Sequence, residues 1–82
     1  MIKIASLKQL KQESKDGAEF FMLLRFNLRS TKWIEWDAKN RVFDVINLID
    51  DSEQTLTEKQ LMDRGWTNIG HAINSGWLYK DH

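Results

Sequence analysis

Eighty-two residues make one domain, with no room for a second. Hydrophobic residues are 41% and charged residues 29%, a globular balance that excludes a disordered or fibrous chain. With no cysteine and a formal net charge of zero, a disulfide framework and thiolate chemistry are excluded, and the charge weighs against a strongly basic nucleic-acid binder.

Met1–Ala5 leads in. Ser6 stands three residues before Gln9, a capping-box spacing that starts a helix over 7–16. Ile4, Leu7 and Leu10 fall at i, i+3 steps, and Gly17 stops the helix. Lys8, Lys11 and Lys15 line one side and read as a solvated face.

The chain is organised around Phe20–Arg29. Phe20, Met22, Leu24, Phe26 and Leu28 alternate with Phe21, Leu23, Arg25, Asn27 and Arg29, the period of a strand with one buried face. Leu24 is expected to be buried at mid-strand. A reversal over 29–32, around Ser30 and Thr31, leads to a second strand, Lys32–Asp37. There Ile34 and Trp36 share one face and Trp33 and Glu35 the other. Asp37 to Asn40 has turn composition. A third strand over Arg41–Ile49 places Phe43, Val45 and Ile49 on one side and Val42, Ile46 and Leu48 on the other. Short links between these strands predict an antiparallel meander.

Asp50–Thr55 reads as an acidic loop with a short extended piece at its end. Thr57 with Gln60 forms a second capping box, Glu58 suits the first turn, and Gly65 ends the helix. Thr67 or Asn68 caps a further helix whose stripe is Ile69, Ala72, Ile73 and Trp77. Gly76 closes it, and Trp77–Lys80 is expected as a short edge strand. The prediction is an α+β domain over 1–82: a three- to four-stranded, mainly antiparallel meander sheet with short helices, near 7–16, 57–64 and 68–75, packed mostly on one face.

The run from Ile4 to Leu7, then LRSTK at 28–32, IDDSEQTLTEKQL at 49–61 and TNIGHAINSG at 67–76, resembles a group of small uncharacterised proteins of Gram-positive bacteria and their prophages. The resemblance implies a compact bacterial protein. It carries over no activity and no site residue.

Charge is unevenly spread. Residues 1–32 carry seven Lys/Arg against three Asp/Glu, and residues 33–82 five against nine, a dipolar layout suited to a charged partner or a second copy. Arg25, Asn27, Arg29, Lys32 and Trp33 are the candidate binding surface, because cations beside an exposed ring suit single-stranded nucleic acid. The competing reading is a solvated strand face with Trp33 packed down.

Residues 57–76 suggest helix-turn-helix. With Gly65 at the turn, however, Gln60, Arg64, His71 and Asn74 occupy sites that need apolar side chains, and 67–75 carries no Lys or Arg. Asp50, Asp51 and Glu53 lack EF-hand spacing. His71 and His82 have no sequence partner for a metal pair or triad, and Ser30 and Thr31 have no adjacent base. No cofactor or metal is expected. A non-enzymatic protein-binding or adaptor domain is the leading reading, with self-association as one form of it. Single-stranded nucleic-acid binding is the alternative, and an enzyme comes third. With no signal-peptide run and no ~20-residue apolar span, a cytoplasmic location is expected.

Overall fold

Period-two patterning builds one sheet, and helix caps place a layer of helices against it. The computed structural model describes residues 1–24, 27–63 and 69–81, and of 23, 24 and 27–30 the backbone alone. In chain order the elements are β1 (Ile2–Lys3), α1 (Leu7–Glu13), β2 (Ala18–Leu24), β3 (Asn27–Asp37), β4 (Val42–Asn47), β5 (Glu53–Thr57), α2 (Glu58–Asp63), α3 (Ile69–Ser75) and β6 (Leu78–Lys80). The class is α+β. The strands form one six-stranded sheet of order β1-β6-β2-β3-β4-β5, antiparallel at each described pairing.

The meander is present and runs on through β5, but the strand count exceeds the three or four expected. The C-terminal strand is not an edge: β6 lies between β1 and β2. Local pattern does not disclose that insertion, because it joins segments from opposite ends of the chain. The stretch Phe20–Arg29 is also not one strand. β2 ends at Leu24 and β3 starts at Asn27, with Met22 opposite Arg29, Leu23 opposite Leu28 and Leu24 opposite Asn27. Ser30 and Thr31 therefore lie within β3, and the reversal falls earlier than 29–32. Alternation persists in each arm of a hairpin, so it gives no sign of the reversal unless turn residues mark it. Arg25 and Phe26, which join the arms, lie outside the described residues, as do the side chain of Leu24 and the expected stop and caps at Gly65, Thr67 and Asn68.

A register shift separates the Phe20–Lys32 pair from the Met22–Arg29 pair. β3 contributes one residue more than β2 between them, the signature of a bulge.

The core lies on one face of the sheet. Ile34 pairs with Val45, Trp36 with Phe43, Phe43 with Leu56, and Met22 with Leu78, and all are buried. Trp36 and Phe43 meet at a ring-centroid distance of 4.5 Å. Ile4 and Leu10 from the N-terminal segment, Leu61 from α2 and Ile69, Ala72 and Ile73 from α3 complete the cluster. Trp77 leaves the expected stripe and is 37% exposed, because α3 ends before it. The Gly76 N–H donates to the Ile73 carbonyl at 3.2 Å and the Trp77 N–H to the Ala72 carbonyl at 2.7 Å, with Gly76 at φ 77°. This is a Schellman stop.

Both helix starts are capped, at α2 by a full capping box and at α1 by a variant in which Gln9 reaches past the Ser6 N–H to that of Ala5. The Gln9 N–H donates to Ser6 Oγ at 3.1 Å, while Gln9 Oε1 accepts from the Ala5 N–H at 2.8 Å. At α2, the Thr57 and Gln60 N–H groups donate reciprocally to Gln60 Oε1 at 2.9 Å and Thr57 Oγ1 at 3.2 Å. The first helix ends at Glu13, and Ser14 then locks it to the sheet. The buried Ser14 hydroxyl donates to the Leu10 carbonyl at 2.6 Å, and its own carbonyl accepts from Trp36 N–H at 2.8 Å.

Lys11 is not simply solvated. It pairs with Glu58, which Arg41 also reaches at 2.8 Å. Lys11 and Arg41 both sit over the Trp36 ring, at 4.8 and 5.9 Å from its centroid. These contacts tie α1, α2 and the β3–β4 hairpin together. Lys11 first, then Arg41, hold the Glu58 carboxyl below its ordinary range against the opposing effect of desolvation.

Gly70 lets α3 pack against the α2 backbone: a Cβ there would stand 2.5 Å from the Met62 carbonyl oxygen and 2.6 Å from its Cα. Backbone cannot yield as a side-chain tip can. Gly70→Ala should therefore destabilise the domain by ~1–3 kcal/mol, the usual cost of overpacking, despite alanine's higher helix propensity. A chemical-denaturation midpoint at or above that of the wild type would refute the close approach.

Candidate binding surface

The face turned away from the helices is assembled by register. One row crosses four strands as Glu19, Trp33, Ile46 and Glu53. The next row sets Glu35 directly opposite Asp44, with Thr55 beyond. On the other flank, Phe21 pairs with Tyr79, and their rings stack at a centroid distance of 6.1 Å and 16°. Leu48 joins there, its N–H donating to the Thr31 carbonyl at 3.1 Å. The result is an apolar centre bordered by carboxylates.

Trp33 and Leu48 are 37% and 42% exposed. The indole of Trp33 lies along the sheet over Gly17, where a Cβ would come within 3.0 Å of Trp33 Cε2. Gly17 also has φ 79°. Glycine at this position thus serves two needs, a left-handed backbone and a bed for the ring. Beside the Glu35–Asp44 pair, Lys15, Asp16, Trp36 and Asp37 help line an open cleft of about 450 Å³. The Asp37 carboxylate is engaged locally, accepting from Asn40 Nδ2 at 2.8 Å and from the Lys39 and Asn40 N–H groups at 3.1 Å. These bonds, the Asn40 side chain's first, hold its pKa down.

The residues predicted from sequence do not gather on this face as a group. Lys32 is 6% exposed and lies on the core side, opposite Phe20 and Asn47, while Trp33 lies on the open side. Alternation within KWIEWD already separates the two. Arg25 lies outside the described residues, and so do the side chains of Asn27 and Arg29. The acidic loop folds back toward Lys32. Burial pushes the Lys32 ammonium below its ordinary range, and the Asp50 carboxylate opposes that shift. Asp50 also accepts from Ser52 N–H at 2.9 Å. Glu53 belongs to β5 rather than to a loop.

His71 is exposed and meets Trp77 edge-on at 5.1 Å; His82 lies outside the described residues. Among the described residues no three His, Asp or Glu side chains converge as a metal site would require, and no helix is long and apolar enough to cross a membrane. The carboxylates around Trp33 were present in the sequence. What sequence reasoning missed was their common face, because Glu19, Glu35, Asp44 and Glu53 are brought together only by cross-strand register.

Comparison with protein-family models, with curated proteins and with solved structures finds no match to this chain.

A lysine whose folded pKa is depressed destabilises the fold while it stays charged. That effect fades as pH rises from the folded value toward the unfolded value of 10.5. Lys32→Met should therefore stabilise the domain at neutral pH by up to ~1 kcal/mol, with the advantage shrinking as pH approaches 10.5. Denaturation midpoints measured from neutral to alkaline pH test this. Destabilisation at neutral pH that fades toward alkaline pH would mean that the ammonium supports the fold, and destabilisation that is the same at every pH would mean that the aliphatic stem does; either refutes the prediction.

Proposed function

We propose that the chain is a non-enzymatic protein-binding domain that docks its partner on the face of the sheet opposite the described helices. The observation that carries this reading is the exposure of Trp33 and Leu48 beside Ile46 in a folded sheet whose other face already holds the core. Aromatic and aliphatic side chains gathered on one open surface, rimmed by polar groups, have the anatomy of an interface centre. The rigid strands fix the geometry of the patch before binding, which lowers the ordering cost of association.

Nucleic acid is a poorer fit to this surface. The ring best placed for stacking on bases, Trp33, has Glu19 beside it in register and Glu53 at the far end of the same row. Phosphates need cations at those positions.

The test is affinity capture from the source organism with the wild type, with Trp33→Glu and Ile46→Glu, and with Lys59→Glu as a control on exposed α2 surface. A partner retained by the wild type and the control, and lost by both face variants while they remain folded, is the expected result. Capture indifferent to Trp33 and Ile46, or lost only with Lys59, would overturn the reading.

A further inference from the structure

We infer that this face accepts a protein surface on which lysine or arginine residues flank apolar side chains; the inference rests on the face being a docking surface. The apolar centre, Trp33 beside Ile46, calls for apolar matter opposite it. The rim selects the charge. Glu19 and Glu53 close the ends of the Trp33–Ile46 row, and Glu35 and Asp44 stand directly opposite each other in the next. Like charges directly opposite across strands destabilise a sheet.

Among the described residues none of these four carboxylates enters an ion pair. Asp44 accepts one hydrogen bond, from the Thr55 hydroxyl at 2.9 Å. Lys3, on the same face opposite Tyr79, lies at the far edge of the sheet, its ammonium lying over Gly76. Lys15, at the cleft, makes no ion pair among the described residues. A cationic partner turns the repulsion between Glu35 and Asp44 into attraction at the moment of binding, and its approach is steered by the same charges.

The rim also disfavours the other occupants. A second copy docked face to face about a two-fold axis sets carboxylates against carboxylates. A phosphate backbone meets the same field.

The experiment titrates isotope-labelled protein with two short synthetic peptides of equal length, one alternating leucine with lysine and one alternating leucine with glutamate. A short oligothymidylate is the third probe, and sedimentation of the protein alone reads self-association. The lysine peptide should shift the Trp33 indole and Ile46 methyl resonances and the glutamate peptide should leave them in place. Raising salt from about 50 to 500 mM should weaken the binding roughly tenfold. Glu35→Lys with Asp44→Lys should abolish it. Glu19→Gln with Glu53→Gln, a milder change at the rim, should reduce it several-fold even if the first variant does not fold.

Equal shifts from both peptides, no shift from either, shifts confined to the helix side, Trp33 responding to oligothymidylate, or self-association through Trp33 would each overturn the inference. If charge preference fails while partner capture still depends on Trp33, only the basic partner falls. If capture is also indifferent to Trp33, the docking face falls with it.

Discussion

A sheet has two faces, and the described helices cover one. Three helices of 7, 6 and 7 residues lie against the six strands among the described residues. In a domain this small every large buried side chain counts toward stability. Period-two geometry then sends Phe20, Ile34, Trp36, Phe43 and Val45 into one core and leaves alternate positions such as Trp33 and Glu35 to solvent or to a partner, while Phe21 on that face is buried against Tyr79. The asymmetry follows from chain length and alternation, and everything on the open face follows from the asymmetry.

The helical layer is held at its ends as much as by its apolar contacts. Ser14 joins the end of α1 to β3 through Trp36 N–H, and Glu58 draws Lys11 and Arg41 together over the same tryptophan. Trp36 therefore links core, helix end and charge cluster at one point. Exposed pairs of this kind contribute little singly, but they fix which way the layer sits on the sheet. The open face inherits that rigidity through β3, where Ile34 and Trp36 are core and the alternate residues Trp33 and Glu35 are surface.

Local rules were legible in the sequence where the physics is local. The Ser6 cap, the Thr57–Gln60 capping box, the Gly76 stop and the inward set Ile34 and Trp36 follow from spacing alone, whereas α1 ends at Glu13, well ahead of the expected stop at Gly17. The failures share a cause. β2 and β3 pair Leu24 with Asn27 and Leu23 with Leu28, an exchange of odd and even positions that an apolar alternating run without turn residues does not disclose. The place of β6 between β1 and β2 depends on pairing across the whole chain. Lys32 follows Arg29 closely in sequence and so reads as part of one basic patch, yet it alternates with Ile34 and Trp36 and lies with them on the core side. The acidic border of Trp33 draws on four strands, and no window of sequence contains it.

An open sheet face whose field attracts cations around Trp33 and Ile46 is what the proposed docking requires. Solvent paramagnetic relaxation read with matched cationic and anionic nitroxide probes measures both parts of it at once. The account predicts strong relaxation of the Trp33 indole and Ile46 methyl signals by the cationic probe, weaker relaxation by the anionic one, and protection of Phe20 and Val45 from both. Equal relaxation by the two probes, an excess from the anionic one, or Trp33 and Ile46 as protected as Phe20 would contradict it.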